Sequence, residues 1–178
     1  VTVKHMLHKK ERSPVMYPYF ENISDAKKQY DYFFDFVDKP HQKIHKFLYK
    51  NIRGVIASDL DYVAPLLGND KYLDIIANPI NTDKIAVIEN KIADKIVIFL
   101  GINTGNSYKK GITFFEKAVA IIQEKYKNKI EIIVTKNIPY SDYQKHFEKA
   151  HILLDQVYGF DQGFNALEAM AKGKVVFT

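Results

Sequence analysis

Three observations predict an α/β chain built on a Rossmann-like parallel sheet flanked by helices. Residues 95–100 (KIVIFL) and 151–154 (HILL) are short apolar runs without alternation, as in parallel strands covered on both faces. Each is followed by a polar loop carrying glycines and then by a segment with apolar residues at helical spacing, the order of a βα unit. The stretch from His151 to Thr178 goes further, to strand, glycine loop, helix and strand, and would present backbone N–H groups at a helix start to an anion.

Taken in order, Val1 to Met6 reads as a strand and Ser13 to Pro18 as a loop. Ser24 is an N-cap candidate for a helix with Ala26, Tyr30, Phe33, Phe34 and Val37 on one face, stopped by Lys39-Pro40. A second helix, His41 to Asn51, should bury Ile44, Phe47 and Leu48. Arg53 to Ala57 reads as a strand, and Ser58 or Asp59 caps a helix reaching Leu66 with Pro65 late in it. Gly68-Asn69-Asp70 turns the chain into a strand at Tyr72 to Ala77.

After the strand Lys95 to Leu100, the loop 101–111 leads into a helix with Ile112, Phe115, Val119, Ile122 and Tyr126 facing inward. Ile130 to Thr135 is the next strand, and Tyr140 to Lys149 a helix with Tyr143, Phe147 and Ala150 inward. The last helix begins at Phe164, with Phe164, Leu167, Ala171 and also Met170 at apolar-face spacing. Lys172-Gly173 ends it as a basic last turn and a left-handed cap, and the strand Val175 to Phe177 follows at once.

The 178 residues suffice for one or two domains with a real core, and 47% hydrophobic content fits a globular chain. With no Cys there is neither a disulfide frame nor a thiolate metal site, which permits a cytoplasmic location. No apolar run approaches the roughly 18 residues of a membrane span, and VTVKHMLHKKER lacks the apolar core of a signal peptide. A net charge of +5 is weighted toward the first third, at Lys4, Lys9, Lys10, Lys27, Lys28 and others. Such a surface suits phosphate-bearing substrates or anionic headgroups, hence peripheral membrane contact, or is simply solvated. Nucleic acid is not expected, because the Tyr and Phe residues recur at core spacing and form no stacking strip. His146 and His151 read as solvated or structural, and no metal cluster is visible.

LEAMAKGKVV, residues 167–176, resembles the E-A-M-A-x-G-x-P-V segment of the donor-binding domain in retaining, nucleotide-sugar-dependent glycosyltransferases of the GT-B fold, especially the large family 4. Gly163 and Glu168 match that family's pattern, while Phe160 stands where its first glutamate would be. IANPINTD, residues 76–83, is similar to the family's I-P-N-G-V-D-T near the crossing between domains. The loop 101–111 matches the family's G-R…K-G at Gly101, Lys110 and Gly111, with Ile102 in the arginine's place.

The resemblance implies that Lys110, helped by Lys109, neutralises the donor pyrophosphate as a point charge without a guanidinium's bidentate geometry. It implies that backbone N–H groups of Gly163, Phe164 and Asn165 meet the pyrophosphate and that Glu168 holds the ribose diol. Asp161 would reach the sugar hydroxyls that the missing glutamate would hold, or only shapes the turn. Asp155, at a strand's carboxyl end, lies where open α/β sheets put ligands. Read without the resemblance, Lys109 and Lys110 open a surface helix and Glu168 favours the positive end of a helix dipole.

These expectations combine into residues 1–93 as the end of an acceptor-side domain plus linker and 94–178 as a nucleotide-sugar-binding domain, incomplete at the carboxyl terminus. The expected activity is transfer of a sugar from a nucleoside diphosphate sugar to a hydroxyl of a glycan or glycolipid acceptor, in surface polysaccharide synthesis. No metal or other cofactor is implied, since the nucleotide sugar is itself the substrate, and no catalytic residue can be named. The alternative is a non-catalytic relative that binds a nucleotide or a partner, to which Phe160 and Ile102 lend support.

Overall fold

In a computed structural model, residues 39–107, 110–157 and 162–178 are described; the strand, loop and helix expected over 1–38 lie outside them. Internal packing divides the chain into two units, Val1–Ala77 and Asn78–Thr178. The second unit takes in residues 78–93, part of the stretch 1–93 expected to hold the end of an acceptor-side domain plus linker. They are fastened there by Ile88 N–H to Lys172 O at 3.1 Å and Asn90 Nδ2 to Gly173 O at 2.6 Å.

In the first unit, helix α1 (Lys39–Asn51) carries Pro40 in its opening turn, where a missing N–H goes unmissed. Strand β1 (Val55–Ala57) pairs in parallel with β2 (Tyr72–Ile75), and between them lie α2 (Leu60–Val63) and a 3-10 turn (Ala64–Leu66). Asp59 is the cap, its carboxylate accepting from Asp61 N–H at 2.8 Å. The α-helix stops short of the expected Leu66 because Pro65 cannot donate and its ring crowds the preceding turn. Lys71 closes the carboxyl end of α1, donating to Tyr49 O and, at 2.8 Å, to Ile52 O. The expected buried stripe of α1 is corrected: Ile44, Phe47 and Leu48 are exposed, and α1 is tied to the rest of the described unit through Tyr49 and its last turn.

The second unit is an α/β layer structure around four parallel strands among the described residues: β3 (Ile96–Ile102), β4 (Ile130–Lys136), β5 (Ile152–Leu154) and β6 (Val175–Phe177). Their spatial order is β4-β3-β5-β6, with Ile96↔Ile130, Ile98↔Ile152 and Ile152↔Val175 in register. Alternation along β3 sorts the core into two halves. Ile98, Leu100 and Ile102 point to one face, where Ile112 and Phe115 of α3 (Ile112–Tyr126) cover them. Phe99 points to the other, packed with Phe147 of α4 (Tyr140–Lys149), Leu153 and Ala169 of α5 (Phe164–Ala171). Burying Phe99, Phe147, Leu100 and Leu153 almost completely stabilises the sheet by about 2 kcal/mol per side chain.

Two helix faces differ from expectation. Tyr126, the last residue of α3, is 42% exposed and not turned inward. On α5 the residues facing the sheet are Ala166 and Ala169, both fully buried, while Phe164 and Met170 are exposed. Small side chains let that helix lie close against β5 and β6, and a close helix leaves no room for Phe164 beneath it. Gly173 caps α5 in the left-handed region at φ 81°, as expected. No helix among the described residues is long and apolar enough to cross a membrane.

Candidate functional site

The order β4-β3-β5-β6 reverses direction between β3 and β5. From β3 the chain leaves to α3 on one face, and from β5 to α5 on the other, so the two loops part at the carboxyl ends of those strands. In open α/β sheets this is where ligands sit.

The β3 loop is shaped by short polar side chains. Asn103 Oδ1 accepts from Gly105 N–H at 3.0 Å, and Ser107 Oγ donates to Thr104 O at 3.1 Å. Asn137, at the end of β4, adopts a left-handed φ of 50° and bolts the loop down: its Oδ1 accepts from Thr104 N–H and its Nδ2 donates to Thr104 Oγ1. The loop turns into α3 through Gly111 at φ 65°, a backbone region open to glycine at little strain.

Lys110, just before that glycine, reaches across to β5. Its Nζ is 2.6 Å from Asp155 Oδ1, with side chains 33% and 2% exposed respectively. A backbone bond from Val157 N–H to Lys110 O, 2.9 Å, joins the same two loops. Asn165 Nδ2 donates to the same Asp155 oxygen at 3.3 Å, and Tyr143 Oη donates to Asn165 Oδ1 at 2.6 Å. A chain of polar groups therefore runs from α4 through α5 to the end of β5 and ends on the β3 loop. Burial pushes the Tyr143 phenol well above its usual range; the bond to Asn165 opposes this, and the charges of Asp155 and Glu168 add to it.

Of the expected site residues, Lys110 and Asn165 meet here. Asn165 does so through its side chain, whereas the expectation named its backbone N–H. Gly101 lies beneath Tyr143: a Cβ added there would come within 2.4 Å of Tyr143 Cε2. Its missing side chain thus makes room for a ring. Gly163 is the N-cap of α5 without a side-chain capping bond, in extended backbone with open space around it, and Phe164 beside it is 59% exposed. Lys109, Phe160 and Asp161 lie outside the described residues.

Glu168 is engaged elsewhere. Its Oε1 is 2.9 Å from Lys172 Nζ, and Lys172 also binds Glu148 at the end of α4. Burial opposes the charge on Lys172, but the hydrogen bonds to Glu148 and Glu168 prevail and raise its pKa. Lys174, 5% exposed, donates to Glu148 O at 3.0 Å and Ala150 O at 2.7 Å, and burial lowers its pKa. His151 is structural, its Nδ1 accepting from Val97 N–H at 2.9 Å.

Tyr143 and Asp155 are the residues that sequence reasoning undervalued. Tyr143 read only as an inward aromatic; the separations of 22 residues to Asn165 and 45 from Lys110 to Asp155 leave no local signal. A cleft of about 370 Å3 in this unit lies at the opposite, amino ends of the strands, lined by Val97, Glu131 and His151 among others. Among the described residues no group of His, Asp and Glu is arranged to hold a metal ion.

No protein-family model matches the chain, and no curated protein matches it.

Proposed function

We propose that the second unit is the donor-binding domain of a retaining glycosyltransferase of the GT-B fold, taking a nucleoside diphosphate sugar and passing its sugar to a hydroxyl of a glycan or glycolipid in surface polysaccharide synthesis. The observation that carries this reading is the position of Lys110. A cation and an α5 amino end capped by a glycine stand on the two loops that part at the reversal of strand order. An ammonium and the N–H groups of a helix start are complementary to a diphosphate. As the diphosphate leaves, developing negative charge on the leaving oxygen is stabilised by the same groups, and the protein's contribution is position and electrostatics. Glu168 serves a ribose in this reading by exchanging or sharing its bond to Lys172.

A second reading is a nucleotide-binding relative without turnover. It is favoured by Ile102, which is 7% exposed and packed with Ile112 and Phe115 in the α3 half of the core, so the family's arginine position holds no cation here.

Calorimetric titration of the chain with UDP, GDP and their sugar conjugates tests the first reading. The expected result is binding of one nucleotide that falls about tenfold with Lys110→Gln, the loss of one charge-assisted contact. Absence of binding, or binding indifferent to Lys110→Gln and Glu168→Gln, overturns it. Binding without sugar transfer to any hydroxyl acceptor favours the second.

A further inference from the structure

We propose that Asp155 is a positioning residue for diphosphate binding: it fixes the Lys110 ammonium at the point where strand order reverses, so the anion is held by the Lys110–Asp155 pair and not by a free lysine. This rests on the donor-site reading above.

A lysine on a surface loop samples many rotamers, and ordering it on a ligand costs roughly 1.5–2 kcal/mol of side-chain entropy. Lys110 has that order before any ligand arrives. Its Nζ is bonded at 2.6 Å to a carboxylate only 2% exposed, while the lysine side chain itself remains 33% exposed. An ammonium has three N–H groups, and Asp155 occupies one, which leaves donors for a phosphate without breaking the pair.

The carboxylate is itself held. Asp155 N–H donates to Phe177 O at 2.9 Å, and both hydrogen bonds that the described side chains make to the carboxylate, from Lys110 and Asn165, fall on Oδ1. Asn165 is in turn fixed by Tyr143. The chain of bonds therefore refers the lysine's position to α4 and α5, the second of which brings the amino end that meets the same anion.

The test uses the whole chain with inorganic pyrophosphate and UDP as probes, and the variants Asp155→Asn, Lys110→Gln and the two combined. The ammonium 1H–15N signal of Lys110, visible when its protons are held in a bond, is read alongside the backbone amide spectrum. The expected result is that Asp155→Asn loses the ammonium signal, leaves the β3 and β5 amides in place, and weakens both probes by about fivefold or more although the lysine is still present. The combined variant, which leaves no buried unpaired carboxylate, should bind within about twofold of Lys110→Gln alone, because the two residues act as one unit.

The proposal is overturned if Asp155→Asn binds pyrophosphate as well as or better than the parent, which would make Asp155 a competing anion, or if the two losses multiply. In either case Lys110→Gln still weakens binding and the donor-site reading stands. If the parent chain binds neither probe, both fall.

Discussion

Replacing Gly101 by alanine separates two accounts of one residue. The added Cβ would lie 2.4 Å from Tyr143 Cε2, 3.1 Å from Tyr143 Cδ2 and 3.3 Å from Phe99 Cζ. The ring cannot simply swing aside. Its centroid is 5.0 Å from that of Phe99 and 5.8 Å from that of Phe147, and its hydroxyl is bonded to Asn165. Overpacking of this kind destabilises by about 1–3 kcal/mol, and loss of the Tyr143–Asn165 bond adds about 1 kcal/mol. At roughly 2–4 °C per kcal/mol for a chain of this size, the melting temperature should fall by roughly 4–16 °C. In a Tyr143→Ala background the ring is gone, and Gly101→Ala should then change stability by no more than about 0.5 kcal/mol. Urea unfolding followed by circular dichroism on the four chains completes the cycle. If Gly101→Ala leaves the parent's stability unchanged while abolishing nucleotide binding, the glycine serves a ligand and the packing argument is wrong.

Two further outcomes concern titration. The Tyr143 phenol is held above its usual range, chiefly by burial, so the unfolded chain loses this proton first; the associated stability is complete below the ordinary phenol value and lost as pH rises past it. The unfolding free energy from urea titration should therefore fall with a slope approaching about 1.4 kcal/mol per pH unit above about pH 10, and Tyr143→Phe should remove that part of the slope. Lys174 has the opposite sign: burial lowers its folded pKa, so the folded chain gives up the proton first and stability rises with pH up to the ordinary lysine value. Lys174→Met should abolish that rise while costing about 1 kcal/mol at neutral pH, because the buried Ala150 carbonyl loses its donor.

Much of the second unit could be read from its residues. The unalternating runs 95–100 and 151–154 do fall on strands, Ile96–Ile102 and Ile152–Leu154, and Gly173 turns left-handed where a helix cap was expected. What could not be read was which helix face is buried when the packing surface is alanine. Ala166 and Ala169 carry little hydrophobic weight, so periodicity favours Phe164 and Met170, yet contact distance rewards the small residues. The site was legible only in halves. Lys110 sits in a recognisable loop and Asn165 at a recognisable helix start, but the carboxylate and phenol that join them come from other elements, and nothing in a linear pattern pairs residues 45 positions apart.

The position of Ile102 shows how alternation constrains the site's chemistry. Strand β3 continues through residue 102, and with Ile98 and Leu100 on the α3 face, the same period puts residue 102 there too. A side chain at that position faces the core as long as the strand keeps its pairing with Lys136. Any cation for the crevice must then come from beyond the strand, and Lys110, next to the left-handed glycine that opens α3, is placed to supply it. A lysine arriving from a loop needs something to hold it, which a buried carboxylate on the neighbouring strand provides. The pair is formally neutral, so on the proposed donor-site reading long-range attraction for a diphosphate would be weak, and what would favour the anion is short-range: oriented N–H groups on a fixed ammonium and at the start of α5. Anion binding at this crevice should accordingly depend on geometry more than on net charge.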